Sequence, residues 1–348
     1  MKIASVEVVP YALPFREPYV TARGRLDRRE LVLLRLRSED GLEGLGEAVP
    51  LSLRGGTALA RVVEELEGLG DRDSLDEATL GGEALGLSAP AGCAALTALL
   101  DLRGKQTPSS IGKPQPVACN ATLVAGQPPA VADDALRWAE EGFSTFKLKL
   151  GAGDDLGQVR AVREAVGPEP KIRVDVNAAW NVETAKRLLA ELEPLGIELI
   201  EQPVGTLEEM AELGGATSIP IAGDESIETC ADAEEAVRLG ACDVAGVKLS
   251  KVGGPEAAIS IAEVMPCVVS SALDGPVGIA AAAQVAQTLD AGAPAESPRL
   301  AHGLATQRLF SSTIAAVECE IRGGMLYPPE GPGLGVQIDE DALEAHRL

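Results

Sequence analysis

Five short stretches of this chain carry charged side chains at nearly constant intervals. Lys147 and Lys149 lie in FKLKLG, Asp175 and Asn177 in VDVN, Glu201 in IEQP, Asp224 and Glu225 in AGDES, and Lys248 and Lys251 in VKLSKVGG. From Lys149 to Asp175, Glu201, Asp224 and Lys248 the steps are 26, 26, 23 and 24 residues. Three carboxylates brought together repel one another unless a cation sits among them. Hard oxygen donors in a small cluster suit Mg²⁺, with Mn²⁺ as a substitute. A lysine held beside a dication and other ammonium groups has its pKa pushed down and can act as a base near neutral pH. A metal flanked by lysine arms suits removal of a proton α to a carboxylate. The metal takes up the charge of the enediolate. One lysine takes the proton, and the other stabilises the intermediate or returns a proton from the opposite face.

Such residues need a scaffold that aims them at one point. Residues two apart in a strand face the same way, so Lys147 and Lys149 share a face. From about residue 117 short apolar runs (VACNATLV, FSTFKLKL, KIRVDVN, IELIEQP, IPIAGDES, DVAGVKLS, PCVVSSALD) alternate with helical stretches such as VETAKRLLAELEPLG. That rhythm predicts βα units around a parallel sheet. Seven strands and a weaker eighth near 299–305 predict an α/β fold of modified (β/α)8 TIM-barrel type, with one charged position per unit at the rim where the strands end. Residues 1–60 read as β-rich, with a hairpin at EDG (39–41) and a charged loop at 16–30; residues 57–104 read as helical. The expected division is an α+β capping domain over 1–110, with a C-terminal return of about 315–348, and a barrel over 111–314 that carries the site.

The 348 residues carry a net charge of −23, which argues against nucleic acid and against a polybasic membrane patch. A small-molecule carboxylate is the expected partner, and a homo-oligomer is compatible with the sequence. There is no signal-peptide pattern and no run long enough to span a membrane. The six cysteines are scattered without a C-x-x-C pair, so they read as reduced thiols of a cytoplasmic protein. With only two histidines, His302 and His346, histidine zinc sites and Ser-His-Asp triads are nearly excluded by supply. Lys251 reads as a surface charge, His302 as a packed residue, and Trp180 as either core or substrate wall.

The ordered set K-x-K, D-x-N, E-Q-P, G-D-E-S and V-K-L-S-K-x-G-G resembles the enolase superfamily, and within it the muconate-cycloisomerase-type subgroup. The resemblance implies metal ligation by Asp175, Glu201 and Asp224, and Lys149 as the base on one face with Lys248 on the other. Lys147, Asn177 and Glu225 would give polar support. VVSSALDGPVGIAAAAQVA and LAHGLAT look most like o-succinylbenzoate synthases of the menaquinone pathway, which are Mg²⁺-dependent lyases. The alternatives are isomerases on the same site: an N-acylamino-acid racemase, a dipeptide epimerase or a muconate cycloisomerase. Dipeptide epimerases typically carry a D-x-D pattern after the eighth strand, and LAHGLATQRLF has no carboxylate. Ser271 and Asp274 in SSALDGP are candidate substrate contacts, with Asp274 as readily structural. Arg23, Arg25 and Arg54 are candidates for a remote substrate carboxylate.

Overall fold

The computed structural model describes residues 1–21, 24–50, 56–70, 75–107, 115–293 and 299–348. Two long strands, β1 (Lys2–Thr21) and β2 (Gly24–Ser38), pair antiparallel over most of their length. The charged stretch 16–30 expected as a loop lies largely in these strands. Tyr19 pairs with Leu26 and packs inward, while Arg25 and Arg28 stay at the surface, ion-paired with Asp27 and Glu30. Arg25 and Asp27 occupy exposed alternate positions of this ribbon, whereas Arg29 is buried.

The turn at EDG leads into β3 (Glu43–Ala48), which pairs with β2. Then come α1 (Leu59–Glu67), β4 (Leu75–Asp76), α2 (Glu77–Ala84) and α3 (Ala89–Gln106), giving a sheet of order β3-β2-β1-β4. The near-continuous apolar run of β2 follows from burial on both faces. Leu31 and Leu33 belong to the core shared with the barrel, and Val32, Leu34 and Leu36 to a second core under the cap helices. Asp101 of α3 is a joint in this unit. Its carboxylate accepts from Leu45 N–H (2.8 Å), Leu334 N–H (2.7 Å) and Lys105 Nζ (2.7 Å). Asp101→Ala leaves two buried N–H groups without acceptors and is expected to cost about 2–5 kcal/mol, read as a lower urea midpoint.

The second unit opens with β5 (Val117–Ala118) and β6 (Ala121–Leu123), followed by α4 (Pro128–Glu140), β7 (Thr145–Lys149), α5 (Asp155–Val166), β8 (Lys171–Asp175), α6 (Val182–Leu192), β9 (Ile197–Glu201), α7 (Leu207–Ala211), β10 (Ile221–Gly223) and α8 (Cys230–Leu239). It continues through β11 (Val244–Val247), α9 (Leu249–Val252), α10 (Pro255–Val264), β12 (Cys267–Val269) and α11 (Pro276–Gly292). Strands β6 to β12 form a parallel sheet in chain order, and bridges from Cys119 to His302 and from Ser270 to Gly303 close it. The eighth strand is thus reduced to a short join. His302 helps complete it: its Nδ1 accepts the Val269 N–H at 3.0 Å, in place of a backbone carbonyl.

The closing segment is divided between the two units. β13 (Ala315–Val317) pairs with β16 (Gln337–Ile338), and the hairpin of β14 (Glu320–Arg322) and β15 (Met325–Tyr327) joins β5 at the start of the barrel. The last helix, α12 (Glu340–His346), returns to the cap, where Glu340 takes both of its bonds from Arg35 at 2.8 Å.

Candidate active site

Three of the marked residues stand side by side. Lys149 is in register with Asp175, and Asp175 with Glu201, at the C-terminal ends of β7, β8 and β9. Asp224 and Lys248 follow the ends of β10 and β11. Phe146 and Leu148 point outward into the core, which turns Lys147 and Lys149 inward. All five, with Lys147, are buried.

The contacts form a chain of alternating charge. Lys149 Nζ lies 2.5 Å from Asp175 Oδ2 and donates to Asn177 Oδ1 at 3.3 Å. Lys147 bridges Asp175 (2.9 Å) and Glu201 (2.5 Å). Lys248 bonds Asp224 and lies 3.9 Å from Glu201 Oε1. Asn177 Nδ2 donates to Glu225 Oε1 at 3.1 Å, so both expected support residues stand beside the cluster.

Lys251 corrects the sequence reading. It is buried, and its Nζ bonds the carbonyl of Asp224, Asp224 Oδ1 (2.9 Å) and the carbonyl of Gly246 (3.1 Å). Because β11 ends at Val247 and α9 begins at Leu249, the chain folds Lys251 back under Asp224 instead of out to water. Gln202 was missed altogether. Its Oε1 accepts from Asp224 N–H (2.9 Å) and Ser226 N–H (3.2 Å), and its Nε2 donates to the Val204 carbonyl (2.9 Å), so it fixes the backbone at Asp224. The signal was a polar side chain between a candidate ligand and a proline. Asn177, Ala178 and Gln202 have φ of 51°, 60° and 40°, backbone strain concentrated just past Asp175 and Glu201.

The other candidates have partners of their own or lie outside the described residues. Trp180 donates from Nε1 to Asp155 at 3.0 Å and packs in the core. Ser271 and Asp274 build their own turn, in which Ser271 Oγ donates to Asp274 Oδ2 at 2.7 Å. Arg25 is exposed and held by Asp27 at 3.0 Å. Arg23 and Arg54 lie outside the described residues.

Burial alone would lower the Lys149 pKa, but Asp175, Tyr19 and Glu201 outweigh it and the value is raised; Lys147 is raised in the same way by Asp175 and Glu201. This is opposite to the expected depression, and the cause is instructive. The carboxylates that hold the lysines protonated are the candidate metal ligands, so a cation among them removes that influence. Burial pushes Asp175 up, but Lys147, Lys149 and Lys248 pull it far below the usual carboxylate range. Glu201 is raised by burial and by Asp175.

Among the described residues no ready-made cage of three metal-binding side chains is formed, because lysine ammonium groups stand between the carboxylates. The donor set nonetheless fits a hard divalent cation. Glu201 Oε1 is buried without a hydrogen-bond partner, a cost that a cation would offset.

Residues 130–342 match the enolase C-terminal domain-like family, and residues 3–113 match the mandelate racemase / muconate lactonizing enzyme N-terminal domain. The chain is 37% identical over 214 residues to an o-succinylbenzoate synthase of Thermobifida fusca, a match covering 59% of this chain and 66% of that protein, just under two thirds of its length. A muconate lactonizing enzyme of Pseudomonas fluorescens, complexed with muconolactone, superposes with a TM-score of 0.89 at 29% identity over 99% of both chains. A dipeptide epimerase of Enterococcus faecalis, complexed with Mg and L-Leu-L-Tyr, does so with a TM-score of 0.87 at 27% identity, over 97% of this chain and 100% of that one.

Proposed function

The chain belongs to the mandelate racemase / muconate lactonizing enzyme group of the enolase superfamily, and from that premise we propose that it is a Mg²⁺-dependent o-succinylbenzoate synthase. Asp175, Glu201 and Asp224 would hold the metal. When bound, Mg²⁺ neutralises the substrate carboxylate and the charge that develops on it. Lys149 takes the proton α to that carboxylate and, as the resulting ammonium, gives it to the departing hydroxyl, whose loss as water aromatises the ring. Lys248, on the opposite face, stays protonated and stabilises the enediolate over the ring. Lys147 and Lys251 hold Asp175, Glu201 and Asp224 in place.

The observation that carries this choice is the rim after the eighth strand. Leu304, Ala305 and Thr306 are buried there, and residues 299–309 contain no Asp or Glu. A dipeptide would bring an ammonium group to a stretch that offers no carboxylate of its own, which is expensive where the ammonium is buried. A succinyl-bearing cyclohexadiene carboxylate brings none. The same stretch admits an N-succinyl amino acid, so racemization by the two lysines is the second reading. The six cysteines are all free thiols, which supports a reducing, cytoplasmic setting, and no described helix is long and apolar enough to cross a membrane.

The test is turnover of the succinyl-cyclohexadiene carboxylate with Mg²⁺, then with Mn²⁺ and with chelator, beside polarimetry on N-succinyl amino acids, dipeptides and cis,cis-muconate. Metal-dependent dehydration is the expected outcome. Racemization without dehydration would keep the proton chemistry and remove the synthase. Dipeptide epimerization would overturn the argument from the rim.

A further inference from the structure

Glu47 is the last residue but one of the cap strand β3, yet two of its three side-chain hydrogen bonds run to the barrel. Its Oε1 accepts the Gly275 N–H at 2.6 Å, and its Oε2 accepts the Val277 N–H at 3.3 Å and the Tyr11 hydroxyl at 2.8 Å. These amides belong to the first turn of α11, whose own N-cap, Gly275, has no side chain to offer. A carboxylate there satisfies donors the helix cannot and complements its dipole. Here it comes from 228 residues away, in the other unit.

The sequence of that turn is cut to fit. A side chain at Gly278 would come within 2.8 Å of Glu47 Oε1 and of Asp274 Oδ1, and one at Gly275 within 2.7 Å of Glu47 Oε2. The turn just before it is equally constrained. Ser271 Oγ accepts the Leu273 and Asp274 N–H groups at 2.9 Å, Asp274 Oδ2 accepts Ala272 N–H at 2.6 Å, and Leu273 has φ of 69°. That turn starts beside Lys248, because Ser270 N–H bonds the Val247 carbonyl at 2.7 Å. Burial and Asp274 push Glu47 up to about 8, while Tyr11, Gly275 and Val277 pull against them; Arg29 of β2 is the cation acting on Asp274.

We propose that Glu47 is a positioning residue for the reaction: from the cap it holds the first turn of α11, and through it the Ser271–Asp274 turn beside Lys248. Cap and barrel then meet substrate as one body. The inference rests on the enediolate reading of the site.

The experiment compares wild type with Glu47→Ala, Glu47→Gln and Gly278→Ala, each well below its own melting temperature. Glu47→Ala strands three buried donors and is expected to lower kcat/KM about 10–100-fold. Gly278→Ala should do the same with Glu47 intact, although alanine ordinarily favours a helix interior. Glu47→Gln keeps an acceptor for Gly275 and should stay within about five-fold of wild type. Mg²⁺ affinity should be unchanged, since its proposed ligands lie at the ends of β8 and β9 and just past β10. Amide exchange over residues 270–279 should accelerate in the two alanine variants. Lower melting temperatures with unchanged kcat/KM and unchanged exchange would overturn the proposal and leave Glu47 a packing residue. A wild type inactive on all the substrates above would overturn the function reading alone, and the exchange measurement would still decide whether Glu47 holds the turn.

Discussion

Lys149→Ala and Lys248→Ala are each expected to lower kcat for dehydration by about 10³-fold or more, the scale of a lost acid–base or charge-stabilising group. The barrel order supplies the reason for two separate losses. Lys149 lies on β7 and Lys248 just past β11, with β8, β9 and β10 between them. In a closed barrel of eight positions that separation is half the circumference, so the two ammonium groups face one another across the mouth. Each contacts a different carboxylate, Asp175 for Lys149 and Asp224 for Lys248. Where N-succinyl amino acids are also turned over, the variants separate the faces. In D₂O each single variant should keep α-proton exchange from one enantiomer only, and the enantiomer should switch between the two. Lys149→Met, which keeps the stem volume without the charge, should behave as Lys149→Ala. Wild-type kcat in either variant would sink the assignment, and exchange from the same enantiomer in both would sink the two-face geometry.

The part of this site legible in the sequence was the part set by repetition. Each βα unit returns the chain to the same rim, so one charged residue per unit at 149, 175, 201, 224 and 248 reads as a ring without coordinates. What stayed hidden depends on where an element stops or on partners far away in the chain. Lys251 reads as a surface charge unless the strand is known to end at Val247 and the helix to start at Leu249. Gln202 acts by hydrogen bonds to neighbouring loops, which no periodicity reports. Residues 16–30 read as a loop because the charges dominate, although Tyr19 and Leu26 already alternate with them as strand residues do. Glu47 looks like any acid ending a strand until α11 is seen to use it as a cap.

Glu201→Gln and Asp175→Asn should both abolish activity, by about 10³-fold or more, yet differ in what they do to the protein without metal. Asp175 is the anion on which Lys147 and Lys149 both depend, and those lysines with Lys248 pull it far below the usual range. Removing its charge leaves buried ammonium groups short of a partner and should cost about 3–5 kcal/mol of stability. Glu201 is held in the opposite sense: burial and Asp175 raise it, and its Oε1 finds no hydrogen bond. Neutralising it relieves repulsion as well as removing a contact to Lys147, so its cost should be the smaller. On the proposed reading metal would reverse the ranking of usefulness, because the unmatched oxygen of Glu201 would then serve as a ligand. Mg²⁺ at about 100 times its Kd should stabilise the wild type by about 2.7 kcal/mol, seen as a rise in Tm. Neither variant should respond. A metal-dependent rise surviving in both would place the cation elsewhere. Equal loss of metal-free stability in the two would mean that the carboxylates do not divide the lysines as their contacts imply.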